Sequence, residues 1–158
     1  MNILCIIPCS RRKIWDDHPN IGAVKAKDAY TGPLSRKAII FAEKFCHDSW
    51  IILSAKYGFL RPDDIIPGPY DATFKKKSHD TISIDELMKQ AYEKGLYKYD
   101  IIVVLAGREY TDVVKKVFHD KKIVEPLKNL RYGEKLKKLN ELLSLQKTLQ
   151  EIINELPQ

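Results

Sequence analysis

Nothing in these 158 residues approaches a membrane span. The apolar runs are all far shorter than the ~20 residues that a bilayer requires. The first residues, Met1 to Ile7, carry no basic leader and run straight into a Pro-Cys turn. They read as a buried strand rather than a signal peptide, and a cytoplasmic protein without membrane partners is expected. Cysteine is scarce, with Cys5, Cys9 and Cys46 alone. An odd count and no C-x-x-C pair predict neither a disulfide framework nor a zinc site, and no metal of any kind. Cys5 and Cys46 lie in apolar surroundings and read as small buried hydrophobes. Internal repeats and low-complexity linkers are absent. So are a full P-loop and a G-x-G-x-x-G fingerprint, and no cofactor is expected.

What is present is a globular composition: 44% hydrophobic and 30% charged residues exclude a disordered chain. The length fits one domain over 1–158, long enough to bury a core without a staple. The formal net charge of +6 favours an anionic partner such as nucleic acid, nucleotide or phosphate. Lysine-rich compositions also arise in thermophiles without any such partner.

Ile3 to Pro8 is a nearly continuous apolar run, the pattern of a central parallel strand buried on both faces. Residues 11–29 are polar and read as a long loop. Thr31-Gly32-Pro33 opens a helix, with Thr31 as N-cap, that runs to about His47. Trp50 to Ser54 is a second strand, and residues 55–80 a second long loop. Ile84 to Gly95 is a helix capped by Ser83 with Glu86 three residues on. Asp100 to Leu105 is a third strand, Gly107 to Phe118 the helix after it, and Lys122 to Val124 a short strand. A final amphipathic helix spans about 134–155. Strands alternating with helices predict an α/β fold: a single three-layer domain with a mostly parallel sheet.

In open parallel sheets, ligands bind outside the carboxyl ends of the strands. Three strands here end in unusual sequences: Pro8-Cys9-Ser10, Ser54-Ala55-Lys56-Tyr57-Gly58 and Ala106-Gly107-Arg108-Glu109-Tyr110. A shared crevice at that edge is the default expectation. Gly32 and Gly107 stand where helices begin, and free N–H groups at such ends attract anions.

These residues carry a resemblance. Leu53 to Tyr70 resembles a block of the peroxide-stress protein YaaA family. The order Ile7 to Asp16, Ala26 to Pro33, Trp50 to Phe59, Pro67 to Tyr70 and Gly107 to Tyr110 is similar to a family of small uncharacterised domains related to it. The resemblance covers roughly residues 3–135. It implies an association with nucleic acid and with protection of DNA under oxidative stress. Larger YaaA-like proteins carry a helix-hairpin-helix-like segment that this sequence lacks. The Pro-Cys-Ser strand end is also similar to a domain of archaeosine-forming tRNA enzymes, which looks similar to the uracil-DNA glycosylase fold.

Lys56 is the leading candidate for catalysis, as a phosphate-binding point charge or a nucleophile of lowered pKa. Ser10 is a candidate hydrogen-bond donor, and Asp71 the best carboxylate for base chemistry. Asp63 and Asp64 are alternatives, one of which caps a turn. Cys9 reads either as a thiolate near Arg11, Arg12 and Lys13 or as a packing residue. Arg11 and Lys13 belong to a basic run that either faces solvent or screens an anion. Trp15 either stacks on a base or anchors its loop. Tyr30, Gly32, Ser54, Tyr57, Tyr70, Gly107, Glu109 and Tyr110 complete the ligand-binding set, with the rigid turn Pro67-Gly68-Pro69 aiming Tyr70 and Asp71. Lys75-Lys76-Lys77 reads as a solubilising tip, and Lys135 as the wet side of the last helix. The function expected is binding of a nucleobase, nucleotide or nucleic acid, with any chemistry at an N-glycosidic bond or modified base. A small phosphorylated-metabolite enzyme or sensor and a structural, partner-binding domain are the alternatives.

Overall fold

The structure, a computed structural model, describes residues 2–156. Its centre is a five-stranded sheet of order β4-β3-β1-β6-β7. The strands are β1 (Ile3–Pro8), β3 (Trp50–Ser54), β4 (Gly58–Leu60), β6 (Ile101–Val104) and β7 (Lys122–Val124). β1 pairs in parallel with both β3 and β6, and β6 with β7. Only β4 is antiparallel, folding back on β3 with Ser54 opposite Gly58. β3 and β6 are buried along their whole length, and β1 is buried from Leu4 onward. That is why their sequences are unbroken apolar runs rather than alternating ones.

Helices flank the sheet. α3 (Pro33–Phe45) packs on β1 and against α6 (Tyr132–Leu143). α4 (Ile84–Glu93) packs against α5 (Arg108–Val117) and β4, and α5 against β6. The expected mostly parallel α/β domain is therefore the observed one. Ser83 Oγ accepts the Glu86 N–H at 3.1 Å, and Gly95 adopts the left-handed conformation at φ 69°, so both ends of α4 follow their local signals.

Four expectations are corrected. The two long loops contain elements: α1 (Ile14–Asp17), β2 (Val24–Lys25) and α2 (Ala26–Ala29) in the first, β4 and β5 (Ile65–Ile66) in the second. β2 and β5 pair antiparallel and tie the two segments together. The final helix is two, α6 and α7 (Leu149–Glu155), because Thr148 starts a new helix by accepting the Glu151 N–H at 3.2 Å. Gly32, not Thr31, is the N-cap of α3, and the buried Thr31 hydroxyl has no hydrogen-bond partner among the described residues. Cys5 and Cys46 are not merely packed but disulfide-bonded, joining β1 to the end of α3. An odd cysteine count cannot reveal one pair plus one free thiol, and Cys9 is the free one.

Candidate functional site

From the central β1 the chain crosses through α3 to β3 on one side, and later enters β6 on the other. The connections leaving β1 and β6 therefore diverge, which opens a crevice at their carboxyl ends. A cleft of about 1140 Å³ lies there. Its walls come from Pro8 to Lys13 after β1, Gly32 to Ser35 at the start of α3, Tyr70 to Ser78, Gly107 to Tyr110 at the start of α5, and Tyr132 and Lys135 of α6.

Of the expected site residues, the cleft brings together Cys9, Ser10, Arg11, Lys13, Gly32, Tyr70, Asp71, Gly107, Glu109 and Tyr110. Lys56 is not among its walls. The Ser54-to-Gly58 motif is a tight hairpin turn between β3 and β4, and Lys56 is exposed at its tip. Ser54 Oγ accepts the N–H groups of Lys56 (3.2 Å) and Tyr57 (3.0 Å), a turn held by its own serine. Gly58 takes φ 81°, as the return into β4 requires. The unusual residue types at this strand end are thus accounted for by turn chemistry.

That turn still serves the cleft indirectly. With both Ser54 lone pairs engaged, its hydroxyl proton goes to the Tyr70 oxygen at 2.7 Å. Tyr70 also meets the Tyr30 hydroxyl at 2.5 Å. The Tyr57 ring stands edge-on to Tyr70, at 5.3 Å between centroids. Tyr30, Ser54 and Tyr57 therefore do not line the cleft but hold Tyr70, which does.

Across the cleft, the Tyr110 hydroxyl donates to the Cys9 carbonyl at 2.9 Å. Its single proton is spent there, so the Cys9 thiol at 3.0 Å is the donor of their second contact. Phe74 packs edge-on against Tyr110 at 5.5 Å. Burial pushes the Cys9 thiol up despite the Tyr110 bond and the nearby Lys13 charge. Burial likewise pushes Tyr30, Tyr70 and Tyr110 far above the usual phenol range, with Cys9 adding to the rise. A thiol so held is a neutral packing group, not a thiolate nucleophile.

Ser10 is also engaged: Oγ donates to the Arg12 carbonyl at 2.5 Å and accepts the Gly32 N–H at 3.2 Å. A Cβ on Gly32 would lie 2.8 Å from Ser10 Cβ, so glycine lets the β1 loop sit against the start of α3. Asp71 is exposed beyond Pro67-Gly68-Pro69, while Tyr70 turns inward. Asp64 caps a turn by accepting the Arg61 N–H at 2.8 Å, and Asp63 lies 3.6 Å from Lys25 and 3.8 Å from Lys27. Trp15 is buried and donates to the Gly22 carbonyl at 2.7 Å, anchoring its loop.

Eight cationic side chains line the cleft: Arg11, Arg12, Lys13, Lys75, Lys76, Lys77, Arg108 and Lys135. The carboxylates there are two, Asp71 and Glu109. Lys75 to Lys77 and Lys135, expected to be solubilising, thus line the cleft, together with Arg108 of the third strand-end motif and with Phe74 and Tyr132, which sequence reasoning missed. Only the tertiary fold brings residues 74–77 and 132–135 to the end of β1. Among the described residues no cluster of three or more His, Cys, Asp or Glu side chains could hold a metal, and no helix is long and apolar enough to cross a membrane.

Comparison with known proteins gives three findings. The model of a family of unknown function, DUF6884, matches residues 4–141. The chain is similar to the uncharacterized protein YfjM of Bacillus subtilis (strain 168), with 45% identity over 117 residues, 74% of this chain and 77% of YfjM. Among solved structures it is similar to AF0587, a protein of unknown function, with a TM-score of 0.43 and 16% identity, across 93% of this chain. It spans 46% of the AF0587 chain, less than half.

Proposed function

The chain belongs to this family of unknown function, DUF6884, and from that premise we propose that its cleft binds a nucleotide, a nucleobase or an exposed end of nucleic acid. The observation that carries the reading is the pairing of charge with rings. Eight cations and two carboxylates line the cleft, with Tyr70, Phe74, Tyr110 and Tyr132 among them, and of the eight Arg12 and Arg108 are ion-paired to Asp17 (2.7 Å) and Asp112 (3.9 Å) outside the lining. Cations bind phosphate by charge, and aromatic side chains offer π-faces or edges to bases. The volume of about 1140 Å³ is ample for a mononucleotide or a strand end. A cleft built at a strand-end switch favours a flexible terminus or a flipped base over a base inside a duplex. The resemblance to the YaaA family supports the nucleic-acid form of the reading and a place in a DNA or RNA stress or modification pathway. Asp71, exposed like Glu109, is the carboxylate proposed for any chemistry on a bound base, and the hydroxyl of Ser10 is already engaged.

Fluorescence anisotropy with labelled single-stranded, duplex and abasic oligonucleotides at two salt concentrations tests this. Mononucleotides serve as competitors. Binding that weakens with salt and is competed by nucleotides is expected. No salt-dependent binding to any oligonucleotide or nucleotide overturns it.

A further inference from the structure

Lys13 differs from the other seven cations of the cleft in being buried, at 4% exposure. Its ammonium donates to the Arg11 carbonyl at 3.2 Å and lies 4.3 Å from the centre of the Tyr70 ring. Among the described residues no carboxylate stands within ion-pair distance of it. An ammonium carries three N–H donors, and one is used here. Asp16, whose carboxylate accepts the Lys13 backbone N–H at 2.8 Å, and Asp71 favour the charge from outside ion-pair distance, and a buried ammonium without a direct ion pair is costly. Burial pulls the Lys13 pKa down against the opposing pull of Cys9, Asp16 and Asp71, so these neighbours do not offset the cost of burying the charge.

Two helix starts face the same space. α3 begins at Gly32-Pro33 and α5 at Gly107-Arg108, and neither N-cap supplies a side-chain hydrogen bond to the first turn. Both starts line the cleft with Lys13. The positive ends of two dipoles thus add to a buried cation. The acids of the cleft, Asp71 and Glu109, are exposed, where solvent screens them.

Resting on the nucleotide reading above, we propose that this part of the cleft is a subsite for a terminal phosphate monoester, the free phosphate of a mononucleotide or of a strand end, held by Lys13 and the starts of α3 and α5. An internal phosphodiester is flanked by nucleosides on both sides and suits exposed cations such as Lys75 to Lys77. A lysine buried to this degree is reached by an end group. A monoester also carries close to two negative charges at neutral pH, against one for a diester.

Pairs of oligonucleotides identical except for a 5′- or 3′-phosphate test this, with inorganic pyrophosphate as a second probe. The wild-type chain binds one phosphorylated member at least about tenfold tighter than its unphosphorylated twin, as charge-assisted hydrogen bonds imply. Lys13→Gln loses that increment, so the ratio of the two affinities falls to about one whatever the variant does to the unphosphorylated strand. Measurable and equal wild-type binding of both members overturns the subsite, whether or not the variant folds, and leaves the nucleic-acid reading intact. An increment retained in a folded Lys13→Gln protein also overturns it. Pyrophosphate binding that depends on Lys13, with no oligonucleotide bound, upholds the subsite and overturns the wider reading.

Discussion

The Tyr110 hydroxyl closes two contacts with one residue: it donates to the Cys9 carbonyl at 2.9 Å and lies 3.0 Å from the Cys9 thiol. That residue joins the first turn of α5, which follows β6, to the end of β1, across the point where the connections leaving β1 and β6 diverge. Tyr110→Phe keeps the ring and its packing on Phe74 but leaves the Cys9 carbonyl and thiol without this partner. The expected loss is about 1–3 kcal/mol of unfolding free energy, the cost of unsatisfied buried polar groups. Urea denaturation of the two proteins measures it. A loss indistinguishable from zero would show that the contact does not hold the two ends together.

Alkaline pH should unfold the protein through the same cluster. Tyr30, Tyr70 and Tyr110 are all raised by burial above the ordinary 10.0, and Cys9 above the ordinary 9.0. The unfolded chain releases these protons at the ordinary values, while the folded chain holds them. The folded state therefore binds more protons above pH 9.0, and stability falls as pH rises from there. Lys13, lowered from 10.5, works in the opposite sense, since its folded form releases a proton first. It is one group against four. Tyrosinate absorbance followed beside circular dichroism should show a late absorbance step coinciding with loss of structure. Full ionisation of all eight tyrosines in a still-folded protein would refute the burial of these three.

β1 and β3 were legible to the residue because a strand buried on both faces leaves an unbroken apolar run. Their parallel pairing followed from the alternation with helices. The four-residue helices α1 and α2 and the two-residue strands β2 and β5 were not legible, since none completes a hydrophobic period. The break between α6 and α7 had a readable mark in Thr148 and Glu151, but leucines at helical spacing on both sides masked it. At the site, the strand ends were expected on one edge of the sheet, and the parallel pairing of β1 with β6 puts those two ends side by side. Ser54 to Gly58 was read as a third binding motif, although a serine that accepts turn N–H groups and a glycine at positive φ are what a hairpin turn selects. The burial of Lys13 was invisible, because Arg11-Arg12-Lys13 looks like a solvated run and only packing against Tyr70 distinguishes its last member.

The cysteine arrangement has a direct chemical count. With Cys5 and Cys46 bonded, the denatured but unreduced protein should present one thiol, that of Cys9, and three after reduction. The bond closes a sequence separation of 41 residues, so its reduction should cost roughly 2–4 kcal/mol of stability. Thiol titration in denaturant, with and without reductant, reads the first expectation. Denaturation under the same two conditions reads the second. Three thiols before reduction in protein purified without reductant would remove the bond from the fold.

Gly58 and Gly22 share a positive φ and should respond differently to alanine. Both have φ near +80°, at 81° and 82°. A Cβ at Gly22 meets nothing within 4 Å, so Gly22→Ala pays only for the left-handed conformation, about 1–2 kcal/mol. A Cβ at Gly58 would collide with the side-chain amide of Gln90 and come within 2.7 Å of Ile82 Cδ1. That amide is in use: Gln90 Oε1 accepts the Phe59 N–H at 2.8 Å, and Nε2 donates to the Tyr57 carbonyl at 3.0 Å. Displacing it leaves two backbone groups of the hairpin unpaired and adds their cost, ~1–3 kcal/mol each, to the conformational strain. The effect reaches the cleft, because the same turn carries Ser54, which donates to Tyr70. Gly58→Ala should therefore be the more destabilising change in urea by at least about 2 kcal/mol. It alone should weaken nucleotide binding in the cleft. Equal stability of the two variants would show that Gln90 does not brace the hairpin, and unaltered binding by a folded Gly58→Ala protein would show that Tyr70 does not need it.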